Sequence, residues 1–168
     1  MEPRSRAVAL AALTAVLVLV LDQAAKVLIR ADLEVGERQD VFGSVLRLVH
    51  VENDGVAFGR FAGNSALVGL IVAAAVVALL VYFLSHLDVP LVWLPTGILL
   101  GGALGNIIDR LRGGSVTDYL KLPNWPAFNL ADVSITIGVV LLIVIIERDA
   151  RRREREAEEA PGGAAGPA

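Results

Sequence analysis

Four long apolar stretches, separated by polar connections, set the pattern of the chain. Residues 7–21 are apolar apart from Thr14, and the stretch continues to Ile29 with Asp22 and Lys26 inside it. Residues 66–84 carry no charge at all, and residues 89–108 form a third run with Pro95 and glycines at 97, 101, 102 and 105. Residues 133–146 form the fourth, entered through Asn129 and Asp132. Each approaches the roughly 20 apolar residues that a helix needs to cross a bilayer. The pattern predicts an all-α membrane protein with four transmembrane helices at about 7–29, 66–84, 89–111 and 130–147.

Between the first two helices, residues 41–51 (VFGSVLRLVHV) alternate partially and are rich in β-branched side chains. They predict one or two short strands, hence a small β-rich region between helices 1 and 2. Asn53-Asp54-Gly55 then reads as a turn. The glycines of the third helix are of the kind that lets helices approach closely. Packing accounts for Gly97 and Gly101, whereas Gly105 makes room beside Asn106. A basic start before an apolar run is also the pattern of a signal peptide. Here the apolar part runs long and no small-x-small site follows, which favours a first membrane helix.

Composition strengthens this picture: 55% of residues are hydrophobic and 20% charged, and the mean hydropathy is +0.65. The length of 168 residues suggests one domain. A net charge of -3 with scattered signs gives no footprint for nucleic acid. The absence of cysteine excludes a thiol nucleophile, disulfides and thiolate metal ligands. His50 and His86 lie in different connections, which disfavours a His-based triad or metal site; no cofactor is expected.

Charge asymmetry sets an orientation. Arg4 and Arg6 flank the first helix, and Arg148, Arg151, Arg152, Arg153 and Arg155 follow the fourth. The positive-inside rule then places both termini in the cytoplasm. The regions 30–65 and 112–129 face outward, and 148–168 is expected to be a disordered cytoplasmic tail. Asp22, Lys26, Asn53, Asn106, Asp109, Arg110, Asp118, Asn129 and Asp132 all fall toward the outer end. Polar groups at the edge of hydrocarbon are costly, so a one-sided cluster drawn from every helix marks a site.

Asp22 and Lys26 are four apart and share a helix face, as do Asn106, Asp109 and Arg110, and Asn129 with Asp132. Two carboxyls held a few ångströms apart do not ionise together. One keeps a proton while the other acts as base on water, which hydrolyses a peptide bond without thiol or metal. Asp109, Asp118 and Asp132 are the candidates, and spacing leaves the pair among them open. A proton-coupled transporter also keeps aspartates in its helices, but near the midplane and with repeats that are not visible here. A Ser-Lys hydrolase would need Lys26 with Ser115 or Ser134, neither of which lies in a nucleophile motif.

The ordered motifs are Asp22-Gln23 with Lys26, residues 53–58 (NDGVAF), 105–110 (GNIIDR), 116–119 (VTDY) and 128–132 (FNLAD). In these the chain resembles bacterial lipoprotein signal peptidase (signal peptidase II) from about residue 7 to 146. The resemblance implies an aspartic endopeptidase of the bacterial cytoplasmic membrane. It would remove signal peptides from prolipoproteins just before the diacylglyceryl-modified cysteine. It implies Asp118 and Asp132 as catalytic, with Asp22, Lys26, Asn53, Gly55, Asn106, Asp109, Arg110 and Asn129 supporting or binding substrate. It also implies a monomer acting among membrane lipids near the extracytoplasmic face, blocked by globomycin. Thirteen residues separate Asp118 from Asp132, which bears on the reach of the outer loop.

Overall fold

A computed structural model describes residues 3–43, 45–54 and 65–159. In chain order the elements are α1 (Pro3–Asp32), β1 (Arg38–Phe42), β2 (Leu46–Asn53), α2 (Ser65–Ser85), α3 (Trp93–Gly113), β3 (Val116–Lys121) and α4 (Leu130–Glu159). The expected helices are all present; β2 falls mostly within the stretch 41–51, whereas β1 begins earlier, at Arg38.

Three features depart from the sequence reading. First, residues 116–121 form a strand, so the sheet is three-stranded in the order β1-β2-β3 and wholly antiparallel. Asp118 therefore sits in a strand rather than a loop, opposite Val51. A lone six-residue segment gives little sign of a partner 65 residues away.

Second, the third helix starts at Trp93 rather than 89. Pro95 has no N–H to donate upstream, which suits the first turn of a helix and nothing deeper. Leu91 is left-handed (φ 63°), so the chain turns immediately before the helix. Third, α4 continues to Glu159, where residues 148–159 were expected to be disordered. Arg151 pairs with Glu147, Arg152 with Asp149 and Glu156, and Arg153 with Asp149, all at helical spacing. Each exposed pair adds little, but extending an existing helix avoids the cost of nucleation. Residues 160–168 lie outside the described residues.

α3 is the centre, packed between α1 and α4, with α2 against it. The glycines make this possible. A Cβ at Gly97 would lie 2.6 Å from the Ala11 carbonyl oxygen, and one at Gly101 2.6 Å from that of Ala15. On α4, a Cβ at Gly138 would lie 2.6 Å from the Leu99 side chain.

Burial on α1 is inverted relative to a water-soluble helix. Ala7, Ala11, Ala15, Asp22 and Lys26 are inside, while Leu13, Val16, Leu17, Val20, Leu21 and Leu28 are exposed. So continuous an apolar exterior around polar interior groups suits a lipid-facing surface. Both α1 and α4 are long and apolar enough to cross a bilayer.

Two apolar clusters close the ends of the bundle. Ala11, Phe83, Val89 and Val92 gather at one end. Ile29, Leu33 and Tyr119, with Leu48, Leu120 and Leu130 against them, join the sheet to α1 and α4 at the other. The polar cluster lies at this second end.

Candidate active site

The site is built on the first turn of α4. Helix-initial N–H groups lack intrahelical partners, and here side chains from several elements supply them. The Leu130 amide donates to the Tyr119 hydroxyl (3.2 Å), and the Ala131 amide to Asp22 Oδ1 (2.9 Å). The Asp132 amide donates to Asn129 Oδ1 (2.9 Å), while the Asn129 amide donates to Asp132 Oδ2 (3.2 Å). This is a reciprocal capping box, with Asn and Asp in the usual Ser/Thr and Glu roles. It fixes the Asp132 carboxyl on the helix end.

Asparagine amides join that carboxyl to the strand. Asn106 Nδ2 donates to Asp132 Oδ1 (2.9 Å). Asn129 Nδ2 donates both to Asn106 Oδ1 (3.2 Å) and to Asp118 Oδ1 (2.7 Å). On the far side, Asn53 Nδ2 donates to Asp118 Oδ2 (2.8 Å). Asp118 and Asp132 thus lie at the two ends of one chain of neutral amides. Among the described residues neither forms an ion pair.

Asp118 is 2% exposed. Burial pushes its carboxyl up to about 6; the Asn53 hydrogen bond opposes this and the Asp132 charge adds to it. Burial likewise pushes the Tyr119 hydroxyl up to about 12, so the group that caps Leu130 is a neutral phenol.

Behind the amides lies a cation with no exposure. Lys26 Nζ contacts Asp22 Oδ2 (2.8 Å), Asp109 Oδ2 (2.8 Å) and Asn106 Oδ1 (3.0 Å), which uses all three of its protons. Arg30 stands 3.8 Å from Asp109 and donates to Thr117 Oγ1 (2.9 Å). Gly105 is the opening that admits this group, because a Cβ there would collide with the Asp22 carboxylate. The glycine thus makes room for Asp22 rather than beside Asn106.

Asp109 does not pair with its sequence neighbour Arg110. Arg110 donates to the Asn106 carbonyl (3.3 Å), and the cations at Asp109 come from α1. Adjacent helical residues point about 100° apart, so sequence neighbours rarely share a partner. Of the three candidate aspartates, Asp109 is held by cations, whereas Asp118 and Asp132 are held by amides. Asn53 joins the cluster as expected, while Gly55 and residues 56–58 lie outside the described residues.

Several members were not singled out from sequence. Arg30 continues the face of Asp22 and Lys26 at the same four-residue step, a signal that was available. Gln23 Nε2, which reaches Asp109 (3.1 Å) and the Gly105 carbonyl (3.2 Å), lies within a quoted motif. Thr117 and Tyr119 lie within the motif 116–119, but their partners, like those of Glu52, depend on strand register, which spacing does not reveal.

An apolar groove of about 240 Å³ runs beside Asp132, lined by Trp125, Phe128, Val133, Thr136 and Ile137. Asn129→Ala removes both the cap and the amide bridge. It is expected to cost about 1 kcal/mol as a cap loss and to lower turnover by at least about tenfold. Melting temperature and kcat measured on the same preparation check both.

The family model described as Signal peptidase (SPase) II matches residues 14–147. A lipoprotein signal peptidase of Moorella thermoacetica is 46% identical over 131 residues, covering 77% of this chain and 87% of the relative. One from Halothermothrix orenii is 42% identical over 130 residues, covering 77% and 90%. One from Syntrophomonas wolfei is 39% identical over 141 residues, covering 84% and 95%. A solved bacterial membrane enzyme structure, obtained at 2.3 Å by the in meso method, superposes with a TM-score of 0.76 at 31% identity. It covers 83% of this chain and 88% of that one.

Proposed function

The chain belongs to the signal peptidase II family, and from that premise we propose that it cleaves prolipoproteins before the diacylglyceryl-modified cysteine by an aspartic mechanism. One observation carries the assignment of the pair. A continuous run of amide hydrogen bonds, Asn53–Asp118–Asn129–Asn106–Asp132, holds two carboxyls that form no salt bridge among the described residues.

In this mechanism Asp132, ionised, takes a proton from a water as its oxygen attacks the scissile carbonyl carbon. Asp118 gives its proton to the carbonyl oxygen, forming a tetrahedral diol. On collapse Asp132 gives its proton to the cysteine nitrogen, Asp118 takes a proton back from a diol hydroxyl, and the C–N bond breaks. The products are a signal peptide with a free carboxyl and a lipid-modified cysteine with a free amine. The groove beside Asp132 offers an apolar surface to residues or acyl chains flanking the bond. By the family reading, Gly55 and Arg110 keep the supporting or substrate-binding roles that their motifs imply.

The surrounding topology follows the same reading. All four helices cross the bacterial cytoplasmic membrane, both termini are cytoplasmic, and the site opens near the extracytoplasmic face. The contact of Arg153 with Asp88 (3.7 Å) supports this, since it brings the arginine-rich end of α4 to the α2–α3 turn. The enzyme acts as a monomer among membrane lipids.

Purified protein is expected to shorten a diacylated prolipoprotein, and globomycin to block the reaction. Absence of cleavage in both detergent and vesicles would refute the assignment. The pH dependence has a definite sign. Asp118 must carry its proton, so kcat/KM falls as pH rises through an apparent pKa of about 6. In kcat the same limb lies at higher pH, because bound substrate removes further water. A profile flat between about pH 5 and 8 contradicts this role for Asp118.

A further inference from the structure

We infer that His50 and Glu52 form a positioning pair that holds Asn53 and Asp118 in register for the reaction. The inference rests on the aspartic reading above and deepens it. Neither residue touches the catalytic carboxyls, but Glu52 precedes Asn53, which does, and accepts from Thr117, which precedes Asp118.

His50 is buried, 6% exposed, at a register shift in the β2–β3 pairing. Its Nδ1 lies 2.8 Å from the Leu33 carbonyl at the end of α1, and its Nε2 lies 3.0 Å from Glu52 Oε1. The Leu33 carbonyl only accepts, so Nδ1–H donates to it, and the Nε2 edge faces the Glu52 carboxylate.

Glu52 in turn accepts from Ser115 and from Thr117 Oγ1 (3.2 Å) across the strand pair. Burial alone would raise its carboxyl, but hydrogen bonds from Ser115, His50 and Thr117 outweigh this and hold it below the usual range. Thr117 then meets Arg30 (2.9 Å) and, through its amide, Asp109 Oδ2 (3.3 Å). The pair therefore bolts α1, β2 and β3 together one residue before Asn53 and one before Asp118. Those two residues meet at 2.8 Å across the same strands.

A slackened strand pair has two consequences for chemistry. Asp118 moves relative to Asp132, which lowers turnover, because misplacement of reacting groups by a fraction of an ångström is felt in kcat. The Asn53 hydrogen bond, which favours ionised Asp118, also weakens, so Asp118 holds its proton to higher pH. The charged groups that act on Asp118 are Asp132 from α4 and Lys26 from α1, and neither contacts the pair.

The test uses purified full-length protein and a diacylated prolipoprotein. Glu52→Gln and His50→Phe are each expected to lower kcat about tenfold with KM within about twofold. The double variant is expected to be no worse than the weaker single, as for residues acting as a unit. His50→Gln, which keeps one donor, is expected to regain part of the loss. In Glu52→Gln the alkaline limb of kcat/KM moves upward in pH, a change that simple loss of folded protein does not produce. Wild-type kcat and limb position in folded Glu52→Gln overturn the inference, as does an effect confined to KM. Asp118→Asn in the same assay separates the two readings. If it stays active, the dyad itself is wrong; if it is dead while Glu52→Gln is unaffected, only the positioning pair is wrong.

Discussion

Replacing Asp118 or Asp132 by asparagine is expected to lower prolipoprotein cleavage by at least about 10³-fold, since each removes the proton donor or the base outright. Asparagine keeps the size and one acceptor oxygen of the side chain. At position 118 its new N–H₂ meets the Asn53 or Asn129 amide, so a modest fall in melting temperature accompanies the loss of activity. The measurement is the conversion of diacylated prolipoprotein to its shorter form on a gel, normalised to folded enzyme. Cleavage by Asp118→Asn within tenfold of wild type would remove Asp118 from the pair. Asp109→Asn provides the contrast. Its carboxylate is neutralised by Lys26 and Arg30, so its replacement is expected to harm folding as much as turnover. Complete loss of turnover in well-folded Asp109→Asn would instead favour Asp109 with Asp132.

Lys26→Met is expected to give the largest loss of stability. The ammonium is fully buried between Asp22 and Asp109, at 2.8 Å from each. Removing one partner of a buried ion pair leaves uncompensated charge, which costs about 3–5 kcal/mol. For a chain of this size that corresponds to a melting temperature lower by roughly 10 °C. The sign of a second substitution makes the cause visible. Lys26→Met combined with Asp109→Asn is expected to recover part of the loss, because one stranded carboxylate is gone. Melting curves in detergent decide it, and an unchanged curve for Lys26→Met would show that the two carboxylates do not depend on this cation. The ion cluster is also a scaffold: Asp22 caps the Ala131 amide and Lys26 orients the Asn106 oxygen. Both variants should therefore lower turnover through Asn106 and Asp132.

The helical framework was legible in the sequence because hydrocarbon demands long apolar runs, and such runs need no information from the rest of the chain. The glycines at 97 and 101 read correctly for the same local reason: close approach requires small residues wherever the partner lies. The three-residue spacing of Asn129 and Asp132 was visible as a shared face, while their reciprocal capping emerged only from the structure. Ends were less legible. The continuation of α4 to Glu159 depends on exposed Arg–Glu and Arg–Asp pairs that individually contribute little, and the late start of α3 depends on the backbone at Leu91.

By itself, then, the sequence determined which residues are polar, that they gather at one end of an apolar bundle, and that two acids among three are available for hydrolysis. Tertiary structure alone decided how they divide. β3 pairs with β2 across 65 residues, bringing Asn53 to Asp118. Lys26 crosses from α1 to Asp109 on α3, while Arg110, beside Asp109 in sequence, points to a main-chain carbonyl. The physical reason is range. Apolar length and helical periodicity are properties of neighbouring residues, whereas a carboxyl's charge state depends on what lies within a few ångströms, whichever part of the chain supplies it.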